Sequence, residues 1–134
     1  MSHKTINPTT LGTPRGYSNG VIAEHGGRLL FVAGQIGWND RQQLVSDDLT
    51  AQFDQALANV LTVVTESGGE PQHIVRLVIY VTDRDEYVAN TSAIGERYRN
   101  RMGRHFPAMA LLVVKGLLEP HAKVEIEATA VLPA

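Results

Sequence analysis

The run from Lys123 to Leu132 constrains the fold more than any other part of the chain. Its residues alternate strictly, with Val124, Ile126, Ala128, Ala130 and Leu132 in one row and Glu125, Glu127, Thr129 and Val131 in the other. Alternation with period two is the mark of a strand whose faces meet different surroundings. The first row must lie against a covering layer. The second is too apolar for plain solvent surface and too polar for plain core, and subunit contact is the natural reading of such a face.

The same two-faced pattern recurs in Ile74 to Val81. Here Val75, Leu77, Ile79 and Val81 share one side, and Arg76, Val78 and Tyr80 share the other. The covering layer is legible too. Leu49, Phe53, Ala56, Leu57, Val60, Leu61 and Val64 recur at helical spacing between the cap candidates Ser46 and Asp47 and the stop signals Gly68 and Gly69. A second helix is expected from about Asp85 to Met102, with Asp83 and Glu86 spaced as a capping box and Gly103 as terminator. Val21 to Gly34 reads as a hairpin, with a strand from Val21 to His25 turning through Gly26 and Gly27, and Met109 to Val114 reads as a further strand. The expected order is hairpin, helix, strand, helix, strand, strand. It describes an α+β single domain over residues 1–134, a mixed β-sheet with two helices on one face.

At 134 residues the chain can bury roughly two thirds of its unfolded surface, so it needs no disulfide or metal to fold. It has no cysteine, which removes thiol nucleophiles, thiolate metal sites and iron–sulfur clusters. The five histidines share no metal-ligand spacing, no serine sits in a G-x-S-x-G context, and the glycine-containing segments match no phosphate-binding pattern. Twelve basic against fourteen acidic residues, with no long basic run, argue against a nucleic-acid partner. The polar start and short apolar runs point to a cytoplasmic chain with no membrane association. Two features remain for chemistry. Glu125 and Glu127 project together, roughly 7 Å apart, either as a solvated face or with one partly desolvated at a subunit edge, where it would serve as acid or base. Arg97, Arg99, Arg101 and Arg104 crowd the end of the second helix, where cations suit the helix dipole or could receive an anionic substrate.

Several separated segments, taken in order, match one family: GYSNGV around Tyr17, VAGQIG from Val32 to Gly37, ALANVLTVVTESGG, IVRLVIYVTD, FPA, and KVEIEATAV. The chain resembles the reactive-intermediate deaminases (RidA, also called YjgF). The resemblance implies a chorismate-mutase-like subunit that assembles as a homotrimer around a barrel of open sheet faces, with a small-molecule cleft between neighbours. It also implies hydrolysis of enamines or imines to a carbonyl compound plus ammonia, without metal or organic cofactor. The family's cleft tyrosine matches Tyr17, its water-orienting glutamate matches Glu125, and Gly34, Pro107 and Ala108 complete the expected cleft. The arginine that follows F-P-A in the family, and clamps the substrate carboxylate, is Met109 here, and a nearby family cysteine is Leu111. Arg15, Lys115, His105 or Arg104 are the candidate replacement cations. Two functions follow as expectations, a deaminase with altered substrate or a non-catalytic trimer that binds a metabolite or protein.

Overall fold

The computed structural model describes residues 3–24 and 26–134. Among these, the elements run β1 (Lys4–Ile6), β2 (Gly20–Ile22), β3 (Arg28–Ile36), α1 (Leu49–Glu66), β4 (Ile74–Val81), α2 (Arg84–Ala89), α3 (Thr91–Met102), β5 (Ala108–Val113) and β6 (Val124–Leu132). Four strands form one mixed sheet in the order β3-β6-β4-β5, in which only the β4–β5 pair is parallel. α1 and α3 cover one face, and all five residues of the β6 row assigned to that face are buried. The expected α+β architecture, with helices on one side of a mixed sheet, is the one found.

α1 begins at Asp48, whose carboxylate accepts from the Ala51 amide at 3.0 Å. The expected caps sit just outside it, and Ser46 Oγ instead accepts from the Asp48 amide. The helix buries Leu49, Phe53, Ala56, Leu57, Val60 and Val64, the stripe expected from their spacing. Asp54, on its flank, holds Arg101 at 2.6 Å and Arg97 at 3.0 Å, which ties α1 to α3. The hydrogen bond from Arg101 holds the Asp54 carboxyl below its ordinary value of 3.8. A depressed folded value means that this tie contributes stability above the ordinary carboxyl range and is lost as the pH falls through the lowered one.

Three expectations need correction. Val21 does not turn back onto the following strand: β2 pairs with β1, and β3 pairs with the distant β6. His25, the expected end of that first strand, lies outside the described residues. Just after it, a Cβ placed on Gly27 would fall 1.8 Å from the Leu132 carbonyl oxygen, so the chain enters β3 pressed against the end of β6. A nine-residue apolar partner outweighs a three-residue local one. The second helix is also not continuous. Asn90 donates from its side chain to the Glu86 carbonyl, closing α2, while its own carbonyl accepts from the Ile94 amide to open α3. Finally, a register shift between Ile74 and Arg76 puts Ile74 rather than Val75 in the core row, and alternation resumes from Leu77.

Among the described residues, no helix covers the opposite sheet face. Leu29, Phe31 and Leu112 lie on it with 64%, 73% and 44% of their surfaces exposed, whereas Val78 and Val131 are already covered within the chain.

Candidate active site

A tight crossing brings the glycine-containing N-terminal segment to the sheet edge. Pro107 ends the turn after α3, and its carbonyl accepts from the Ser18 amide at 3.0 Å. Ser18 Oγ donates to the Phe106 carbonyl at 2.5 Å, and Ser18 bridges to Ala108 in parallel register. These bonds lay Arg15, Gly16 and Tyr17 along the outer edge of β5. In the β4–β5 ladder Met109 lies opposite Leu77 and Leu111 opposite Ile79, so both side chains fall on the helix-covered side. Two adjoining cavities of about 280 and 320 Å³ result, sharing Arg15, Gly16, Ile79, Tyr87 and Met109. The first runs inward to Tyr98 and Phe106, with the exposed Arg99 at its mouth, and the second opens toward Tyr17 and Leu111. Tyr98 stacks on Phe106 with ring centroids 5.5 Å apart and donates to the His105 carbonyl at 2.6 Å. Burial pushes its hydroxyl pKa well above the ordinary tyrosine value.

The two glutamates of β6 differ in what they touch. Glu127 accepts from the Tyr80 hydroxyl at 2.5 Å, and that bond is the main reason the Tyr80 hydroxyl titrates above its ordinary value. The Glu125 carboxylate, opposite Tyr80 in register, makes no hydrogen bond or ion pair among the described residues. Its position is set by backbone. Between Val32 and Gln35 β3 carries a bulge, and a Cβ on Gly34 would stand 2.8 Å from the Glu125 carboxyl carbon. Only glycine leaves the carboxylate where it is.

A family-wide profile described as Endoribonuclease L-PSP matches residues 9–132. The chain belongs to the RidA/YjgF family. It is 32% identical over 105 residues to the 2-iminobutanoate/2-iminopropanoate deaminase of Escherichia coli K12, covering 78% of this chain and 80% of that one. A Yersinia pestis Rid-family protein of unknown function superposes with a TM-score of 0.88 at 38% identity, over 98% of this chain and all of that one. E. coli TdcF, solved with bound serine, gives a TM-score of 0.67 at 26% identity over 96% of this chain and 98% of that one.

Within this RidA/YjgF chain the expected site residues fall into two groups. Arg15, Tyr17, Met109 and Leu111 line the cavities at the β5 edge, with Pro107 and Ala108 fixing the adjoining backbone. Glu125 and Gly34 lie together on the open face, the side opposite Met109 by strand alternation. Among the candidate cations, Arg15 lines both cavities, Arg104 and Lys115 line neither, and His105 is taken up by the Ile74 carbonyl, 2.7 Å from its Nε2. The arginine cluster divides: Arg97 and Arg101 bond Asp54, while Arg99 faces the cavity. Sequence reasoning missed Tyr87 and Phe106 as lining residues and named Arg99 only as one of four clustered arginines that could receive an anion. The usable signal for Arg99 was its offset of two from each Asp54 partner, which at 100° per residue turns it toward the other flank of the helix. Among the described residues no group of three or more histidines and carboxylates is placed to hold a metal, and no helix is long and apolar enough to cross a membrane.

Proposed function

We propose that this chain is a RidA-like hydrolytic deaminase of reactive enamines or imines, acting as a cytoplasmic homotrimer of one-domain subunits, with a substrate altered by the loss of the arginine at position 109. The observation that carries the reading is the Glu125 carboxylate, free of protein partners and set over Gly34. Water attacks the carbon of the protonated imine as Glu125 takes a proton from it, forming a carbinolamine. Glu125 then passes that proton to nitrogen, and the C–N bond breaks as the hydroxyl oxygen gives its proton back to Glu125, so that carbonyl product and ammonia leave and the carboxyl finally loses its proton to solvent. Backbone N–H groups and Tyr17 orient the substrate.

Trimer formation supplies what a lone subunit lacks. It covers Leu29, Phe31 and Leu112, and it sets the open face of one subunit, with its Glu125, against the cavity at the β5 edge of the next. Light scattering at micromolar concentration should give three chain masses, and a monomer would refute the assembly. Support for the activity comes from relatives named as 2-iminobutanoate/2-iminopropanoate deaminases and from the serine bound in TdcF.

Met109 also favours a second reading, a non-catalytic module that binds a metabolite or a protein in the same cleft, because a thioether cannot pair with a carboxylate. Ammonia release from enzymatically generated imines, with and without an α-carboxylate, separates the two. Imines derived from 2-aminoacrylate should be poor substrates. Met109→Arg should raise kcat/KM for them by roughly 10–100-fold, the worth of a charge-assisted clamp. No ammonia from any imine, in either protein, would leave the binding module standing.

A further inference from the structure

The inner cavity has a polarity of its own. Its depth is carbon: Ile79, Ile94, Met109 and the stacked Tyr98–Phe106 pair. Its rim carries two guanidinium groups, Arg15 from the N-terminal segment and Arg99 from α3, and neither has a carboxylate partner among the described residues. Arg99 is moreover laid in a fixed place. Helical side chains lean toward the N-terminus, onto the residue one turn before. That residue is Gly95, where an added Cβ would stand 3.1 Å from an Arg99 guanidinium nitrogen. The guanidinium thus rests against bare backbone at the cavity mouth, while its neighbours Arg97 and Arg101 are consumed by Asp54.

We infer that Arg99 and Arg15 are specificity residues that receive the carboxylate of an amphipathic acid, one whose bulky apolar or aromatic group fills the space between Met109 and the Tyr98–Phe106 stack. An anionic head at the rim meets two donors with planar forks, and an apolar tail of ring size meets a lining that is mostly carbon, with Tyr87 and Thr91 beside it. A small acid could satisfy one end at a time. The loss of the arginine at position 109 is then a relocation: the charge-reading group has moved outward from the strand to the helix, and the vacated space takes hydrocarbon. This inference rests on the cleft being the substrate site.

The test reads binding of unreactive probes to the intact protein by titration calorimetry, using 3-phenylpropanoate, propanoate and the neutral 3-phenylpropanamide. We expect 3-phenylpropanoate to bind at least about tenfold more tightly than either of the others. Arg99→Ala and Arg15→Ala should each weaken it by about tenfold, the lower end of a charge-assisted pair because both residues are largely exposed. Arg99→Lys, which keeps the charge and loses the fork, should fall between. The thermal midpoint should hold in all three variants, so that a lost contact is not mistaken for a lost fold. Equal binding of propanoate or of the amide, no detectable binding of 3-phenylpropanoate, or full affinity in Arg99→Ala would overturn the inference. Probe binding is independent of turnover. Arg99-dependent binding without ammonia release from any imine would sink the deaminase reading alone, whereas ammonia release with Arg99-independent binding would sink this inference alone.

Discussion

Replacing Glu125 by glutamine should lower kcat by about 10²–10⁴-fold, the usual contribution of a positioned proton-transfer group, while changing the affinity for an unreactive ligand only a few-fold. Glutamine keeps the length, the shape and one acceptor oxygen, and removes only the ability to take a proton. The side chain should stay in place, because Gly34 leaves room for a group of the same shape and no protein partner is lost on substitution. Glu127→Gln is the internal control. That carboxylate is already occupied by the Tyr80 hydroxyl, so its replacement should leave turnover close to that of the parent. Tyr17→Phe should raise KM more than it lowers kcat if the hydroxyl only contacts the ligand. Full turnover in Glu125→Gln would remove the general base from the mechanism.

The largest loss of stability is expected from Phe53→Ala. Phe53 is 2% exposed in the middle of α1, within the core that also holds Leu57, Val60, Leu77 and Ile126. Truncating a fully buried phenylalanine removes its transfer free energy and leaves a cavity the rigid sheet cannot close, about 3–5 kcal/mol together. For a chain of this size that corresponds to a fall in Tm of roughly 10 °C or more. Equilibrium unfolding in urea should show the lower midpoint with an unchanged slope, since the surface exposed on unfolding is nearly the same. A loss below about 1 kcal/mol would mean that α1 does not seat on the sheet as described.

What could be read from the sequence follows how local its causes are. The α1 stripe and the β6 rows are set by spacing within one element, and they were legible residue by residue. β4 was legible except at Val75, where a bulge shifts the parity, and a bulge is decided by the partner strand. The hairpin expectation failed for the same reason: pairing of β3 is decided by β6, almost a hundred residues away in the chain. The break at Asn90 depends on one side chain competing for the Glu86 carbonyl, a weaker signal than a proline or glycine. For the site, residue types were visible and neighbourhoods were not. Tyr17 and Met109 are brought together by two bonds from Ser18, and nothing in the spacing of those segments announces that contact. Among four clustered arginines, the position of Asp54 on another helix takes up Arg97 and Arg101, and of the two that remain only Arg99 reaches the cavity.

Gln52 carries a consequence for how the chain can vary. Fully buried, it donates from Nε2 to the carbonyls of Ser46 and His121, and its Oε1 accepts from the Lys123 amide at 2.8 Å. The other end of the 115–122 segment is held where the Val114 amide donates to the Val81 carbonyl at 2.8 Å. A loop pinned at both ends can lengthen or shorten at little cost, because closure entropy grows only slowly with length and the anchors, rather than the loop, fix where β6 begins. The glutamine therefore acts as a register lock. It lets the outer rim of the subunit accept insertions while Glu125, two residues past the lock, stays in place.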